Sequence, residues 1–178
     1  MLKFEITYYK LIEKEKEMFD ENYICKIPTI EEIHQRLECE NDEQENQKII
    51  QDVESQKSIT YYGILNGTII SEATAAIRND SYYVKNPKKL INKNTAYLSA
   101  FKTQTQYRNS GFFSRLFDYM IDDLRNRGFA KFTVGVEKDN YLNKSIYLKY
   151  GFTKYIKSQI IEYPNGQKNE VEYYLKSI

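Results

Sequence analysis

The sequence has no tryptophan, a single histidine, two cysteines and three prolines among its 178 residues. Cys25 and Cys39 stand alone, with no CxxC pair, which excludes a disulfide framework and a cysteine-built zinc site. The lone histidine, His34, falls among Glu31, Glu32 and Arg36 on a helix-compatible stretch and reads as a solvated helical side chain, so no metal site is expected. No apolar run approaches the ~18 residues that a membrane span needs. The opening residues, Met1-Leu2-Lys3-Phe4-Glu5, lack the apolar stretch of a secretory signal, and cytoplasmic residence is the expectation. Charge of one sign is also missing: 26 basic residues face 25 acidic ones, for a net charge of +1. Nucleic-acid-binding domains carry a basic excess, so no polyanion partner is expected. No linker, repeat or low-complexity block divides the chain, and residues 1–178 read as one domain large enough to bury a core.

What the chain has in abundance is tyrosine, 17 residues, with nine phenylalanines beside them. Many of those phenols must lie half-buried with the hydroxyl wet or hydrogen-bonded. Phe4, Ile6 and Tyr8 alternate with polar residues, which predicts a strand. From about Lys10 to Ser55 the chain is polar and largely helix-compatible, and Thr29 with Glu32 has capping-box spacing. The run from Glu38 to Asn46 is acidic; it is either a solvated face or an acidic lip that attracts a cationic ligand. Ser58–Leu65 and Thr68–Ala75 flank Asn66-Gly67, a strong hairpin signal. Residues 79–94 read as a loop, and 96–103 as a further strand. Within 111–127, Phe113, Leu116, Phe117, Met120, Ile121 and Leu124 share one helical face. Alternation at Ala130, Phe132, Val134 and Val136 predicts a strand, 140–150 a second helix, and 152–163 with 170–176 a closing hairpin around Pro164-Asn165-Gly166-Gln167. The order implies a mixed α/β or α+β domain.

Two patterns carry chemistry. Gln106-Tyr107-Arg108-Asn109-Ser110-Gly111-Phe112-Phe113 joins a strand to the long helix. A helix start presents unpaired N–H groups and the positive end of the dipole, which suits a pyrophosphate. Arg108 adds a fixed charge, and Gly111 lets the backbone approach closely. Alone, this stretch is equally an ordinary strand–helix turn. In the second pattern, Asn140, Asn143 and Tyr147 share a helical face, followed by Gly151-Phe152. On spacing alone, Tyr147 reads as packing.

Together the two patterns resemble the GNAT superfamily of N-acetyltransferases. The phosphate loop of that family reads Arg/Gln-x-x-Gly-x-Gly/Ala, and Arg108 to Phe113 matches it except at Phe113. Its later helix reads Asn-x-x-Ala-x-x-x-Tyr-x-x-x-Gly-Phe; Asn140, Tyr147, Gly151 and Phe152 match, with Asn143 in the Ala place. The resemblance covers roughly residues 96–152 and implies a single-domain fold with a central, mostly antiparallel mixed sheet flanked by helices and closed by a C-terminal hairpin. It also implies acetyl-CoA as co-substrate, with direct transfer of the acetyl group to an amine acceptor. In that scheme the charge of Arg108 and the amides of Asn109, Ser110, Gly111, Phe112 and Phe113 hold the diphosphate. Phe101-Lys102-Thr103 bonds the pantetheine arm through its backbone, Asn140 and Asn143 support that arm, and Tyr147 protonates the leaving thiolate. Glu72, on the strand after Asn66-Gly67, is the candidate base, on one side of that strand with Thr74 and Ala76. A Phe aimed at the phosphates would obstruct them, so the ring of Phe113 is expected to turn into the core. The acidic lip mildly favours a cationic acceptor, a small polyamine-like molecule or a protein amine. Family members are often homodimers. The competing implication is a catalytically silent acyl-CoA sensor of the same fold, to which the mismatch at Phe113 would belong.

Overall fold

A computed structural model of the chain describes residues 22–40, 42–163 and 166–178. The strand expected at Phe4–Tyr8 and part of the turn at 164–167 lie outside the described residues. The elements run β1 (Tyr23–Lys26), α1 (Ile30–Leu37), α2 (Glu43–Glu54), β2 (Ser58–Leu65), β3 (Thr68–Ala76), β4 (Thr95–Thr103), a 3-10 turn at Thr105–Tyr107, α3 (Phe112–Asn126), β5 (Lys131–Glu137), α4 (Tyr141–Lys149), β6 (Lys154–Glu162) and β7 (Lys168–Ser177). The strands of the described residues form one seven-stranded sheet in the order β1-β2-β3-β4-β5-β7-β6. Neighbours pair antiparallel except β4 with β5, which is parallel and spanned by the α3 crossover. No helix among the described residues is long and apolar enough to cross a membrane.

Local signals set most boundaries. Asn66 and Gly67 take φ of 50° and 78°, the paired positive angles of a tight hairpin turn. Thr29 and Glu32 close the capping box of α1, with contacts of 3.2 and 2.8 Å. Asp42 caps α2, so the second half of the acidic run becomes a helix start, where carboxylates oppose the dipole favourably. His34 is exposed on α1. One element departs from expectation. Tyr23–Lys26 is a strand within a segment that reads as helix-compatible, because its four residues add to the edge of β2 rather than coil locally.

Helix α3 buries Phe112, Leu116, Phe117, Met120, Ile121 and Leu124. Full burial of such side chains contributes roughly 1.5–3 kcal/mol each, which locks the helix onto the sheet. Beyond Phe112, which packs with Tyr23, Leu65 and Ile70, its partners are Ala73, Ala75, Ala96, Leu98, Phe132 and Val134, the residues of β3, β4 and β5 on that face. The opposite face carries Ala76, Tyr97 and Tyr173, covered by Val84, Leu90 and Ile91 from the long loop after β3. α1 and α2 lie on this second side, where Arg36 of α1 reaches Glu72 of β3.

The sheet divides between β4 and β5. They pair from Thr95↔Lys131 to Leu98↔Val134 and no further, although β4 continues to Thr103 and β5 to Glu137. Beyond Leu98 and Val134, β4 stays paired only with β3, and β5 only with β7. A bulge accompanies the parting. Thr74 pairs with Ser99 but Glu72 pairs with Lys102, so one extra β4 residue is accommodated, with Ala100 at φ 53°. The bulge changes the alternation of β4, so Phe101 joins Leu98 on the α3 side.

Candidate active site

A fork between two strands exposes backbone groups that a sheet would otherwise pair. The stretch Ser99–Thr103 on one side and Gly135–Glu137 on the other present main-chain donors and acceptors to the same gap. At the outer end of β4 the chain turns through Thr105–Tyr107 and enters α3 at Gly111, whose φ of 84° requires a residue without Cβ penalty. Asn109 also has positive φ, 62°. Two left-handed residues in three turn successive amides toward a common concavity, an arrangement that binds anions. None of the amides from 109 to 114 donates to a described backbone carbonyl, and Gly111 offers no side-chain cap. The amides of Phe112, Phe113 and Ser114 are therefore the free first-turn donors of α3. Arg108 is exposed; its Nε donates to the Thr103 carbonyl at 3.1 Å, tying the turn to the end of β4.

The ring of Phe113 points away from this turn. It packs on Phe101 at 5.3 Å, Tyr150 at 5.8 Å and Phe117 at 6.1 Å between centroids. The apolar periodicity of α3 thus decides its direction, and its backbone N–H stays with the other free amides. Phe101, on the inner edge of the fork, also meets Tyr147 of α4 at 5.8 Å, and Tyr147 meets Phe152 at 6.2 Å. Phe101 therefore joins the start of α3 to Tyr147 on one face of the sheet. Ser114 Oγ and Tyr150 Oη, 2.6 Å apart, close the start of α3 against the end of α4.

The Tyr147 hydroxyl has no hydrogen-bond partner among the described residues, and burial pushes its pKa up to about 12. It is therefore a protonated donor throughout the neutral range. Asn140 is the N-cap of α4: its Oδ1 accepts the Asn143 amide at 3.0 Å, leaving only its Nδ2 for other contacts. The three-residue spacing from Asn140 to Asn143 is the sequence signal for that capping role. Asn143 is exposed.

Glu72 lies across the sheet from this cluster, on the side of α1 and α2, with Lys102 as its β4 neighbour. Arg36 binds its Oε1 twice, from Nε at 3.0 Å and from Nη2 at 2.8 Å, and also reaches Glu40 at 2.9 Å. Arg36 is a site residue that the sequence reading does not single out, since its partner is 36 residues away. Glu40, Asp42, Glu43, Glu45, Leu37, Ile49 and Lys102 line an open cavity of about 530 Å³ beside it. Among the described residues no group of three His, Cys, Asp or Glu side chains is arranged to hold a metal.

This geometry can be set against known proteins. No curated protein matches the sequence. Among solved structures, a ribosomal-protein-alanine N-acetyltransferase from Brucella melitensis superposes with a TM-score of 0.65 at 12% identity, covering 87% of this chain and 99% of that one. An IAA acetyltransferase from Bacillus cereus ATCC 14579 gives 0.61 at 15% identity, covering 88% and 99%. A GNAT family acetyltransferase from Elizabethkingia anophelis, solved with acetyl-CoA bound, gives 0.58 at 14% identity, covering 88% and 99%. Identities this low establish the shared fold. The profile of the acetyltransferase (GNAT) family matches residues 19–152, three quarters of the chain and all of the fork, the uncapped turn and Tyr147, and by that match the chain belongs to the GNAT family of acetyltransferases.

Proposed function

We propose that this protein is an N-acetyltransferase that takes the acetyl group of acetyl-CoA directly to a primary amine. The observation that carries the reading is the continuity of one face. The free amides at the start of α3, the open edge of β4 and the unpartnered phenol of Tyr147 follow one another along the fork, linked by Phe101. In this reading the amides from Asn109 to Phe113 take the diphosphate, with the Arg108 guanidinium beside them. The pantetheine arm lies along Phe101-Lys102-Thr103 as an added strand, and an amide at the inner end of this stretch polarises the thioester carbonyl as charge develops on its oxygen. Asn140 Nδ2 and Asn143 face the arm from α4. Tyr147 donates to the sulfur as the C–S bond breaks and the amine nitrogen bonds to the carbonyl carbon.

The acceptor comes from the other side of the fork, where Glu72, Glu40 and the acidic cavity stand. Glu72 Oε1 is committed to Arg36, so Oε2 is the atom that meets an incoming ammonium and takes or relays its proton. The acidic lining favours a cationic acceptor, a small polyamine-like molecule or a protein amine. The chemistry suits the cytoplasm. One observation supports a silent sensor instead: Phe113 fills with aromatic surface a position where the family carries a small residue. Thiol release separates the two readings. Saturating acetyl-CoA with spermidine, tyramine or an alanyl peptide should release thiol faster than acetyl-CoA alone. Tight binding with no release for any acceptor supports the sensor, and no thermal shift with CoA removes both.

A further inference from the structure

The inner end of the fork contains a phenol that the proposed transfer does not use. Tyr97 lies on β4 one residue before the last paired position, with its Cα opposite Thr133. Its hydroxyl nevertheless sits against Gly135, two residues further along β5. Two strand residues span ~6–7 Å, about the length of a tyrosine side chain, so the ring leans along β5 past the closing of the fork. A Cβ built on Gly135 would lie 2.8 Å from the Tyr97 Oη and 3.0 Å from Tyr173 Cε1. A side chain there would have to displace the phenol or the Tyr173 ring, 6.2 Å from that of Tyr97, which together fill the space. Two residues outward on β4, Ser99 Oγ is buried with no hydrogen-bond partner, the one such hydroxyl found beyond the fork among four in the described residues. A polar ligand atom at the fork would satisfy it.

We propose that Tyr97, seated on Gly135, is the wall that limits the acyl group to two carbons. The inference rests on the acyl-CoA reading above. If the pantetheine arm follows β4 inward from the start of α3, its thioester lies beside Phe101 and Tyr147, and its acyl chain points on toward the closing of β4 and β5 and this phenol. An open apolar fork would favour longer chains, because each buried methylene strengthens binding about fourfold and two methylenes about fifteenfold. The wall reverses that order.

The test needs no acceptor. Affinities of acetyl-CoA, butyryl-CoA and CoA are measured by isothermal titration on the full chain. Wild type should bind acetyl-CoA at least tenfold more tightly than butyryl-CoA. Tyr97→Phe, which keeps the ring, should retain most of that preference. Tyr97→Leu should abolish or invert it while leaving the affinity for CoA itself within twofold. Equal or tighter butyryl-CoA binding by wild type overturns the proposal without any variant. So does a Tyr97→Leu protein that melts cooperatively, binds CoA and still rejects butyryl-CoA. Failure of wild type to bind any of the three CoA species is a separate result, which refutes the cofactor reading itself.

Discussion

Replacing Tyr147 by Phe removes one oxygen and leaves the ring contacts with Phe101 and Phe152 in place. In the free protein that oxygen is partly buried and meets no described partner, so its loss should leave stability unchanged or raise it by up to ~1 kcal/mol. In the transition state of the proposed transfer the effect has the opposite sign. Burial has pushed the phenol up to about 12, whereas a free thiol titrates near 8.5. Full proton transfer to the departing sulfur is therefore uphill, and the phenol acts by hydrogen-bonding the developing thiolate. Such a charge-assisted bond is worth about 1.5–3 kcal/mol, so kcat should fall roughly 10- to 150-fold. Affinity for acetyl-CoA should change little, because the bond forms only as charge appears on sulfur. Thiol release at saturating acceptor, with a melting curve and a CoA titration on the same preparation, measures all three quantities. A kcat within twofold of wild type would remove Tyr147 from the reaction. A melting point several degrees lower would show that the hydroxyl has a structural partner and would invalidate the reasoning from its isolation.

Arg108→Ala should weaken CoA binding by about tenfold or more and flatten its dependence on salt, since a charge-assisted phosphate contact is lost; unchanged affinity and salt slope in a titration series would place Arg108 away from the phosphates. Glu72→Gln keeps the volume beside Arg36 but removes the charge offered to the acceptor. It should raise the KM for spermidine more than that for a neutral-bodied amine and leave acetyl-CoA affinity alone, and equal effects on both amines would count against the acceptor role. Alkaline pH should unfold the protein cooperatively. Burial raises the phenols of Tyr23, Tyr61 and Tyr62 well above the value of about 10 that they adopt when unfolded. The folded state then holds protons that the unfolded state releases, so stability is complete below pH ~10 and falls above it. Each such phenol costs up to ~1.4 kcal/mol per pH unit there, and three together lose about 4 per unit against a total of about 5–15 kcal/mol. Circular dichroism should show collapse between pH ~11 and 13, and a sheet signal unchanged at pH 13 would mean that these tyrosines titrate while folded.

The parts of this fold that are legible in the sequence are those fixed by contacts along a few residues. The apolar face of α3, the Asn66-Gly67 hairpin and the Thr29–Glu32 box each depend on neighbours within a turn, and each stands where the pattern puts it. The direction of Phe113 follows from the same periodicity, because a ring in register with Phe117 has no other place to go. β1 is illegible for the converse reason: four residues acquire strand geometry only from an edge supplied by residues 62–65. The fork is equally hidden. It depends on a bulge at Ala100, a non-glycine with positive φ, and on two strands whose outer partners keep pulling them apart.

The same division separates the two sides of the candidate site. The proposed cofactor side is built from consecutive residues, Arg108 to Phe113 and Asn140 to Tyr147, because a helix start gathers its own amides and one helical face gathers its own side chains. A linear motif can encode that much. The proposed acceptor side is assembled from Arg36 and Glu40 at the end of α1, Glu72 of β3 and Lys102 of β4, which the sheet brings together. Alternation correctly puts Glu72 opposite Ala73 and Ala75, yet nothing local says that Arg36 will hold one of its oxygens. Nor does anything beside Gly135 say that a tyrosine from β4 will lie over it. Substitutions on the cofactor side should therefore act nearly independently of the acceptor used. Those on the acceptor side should act in pairs, since each residue there is held in position by another distant in sequence.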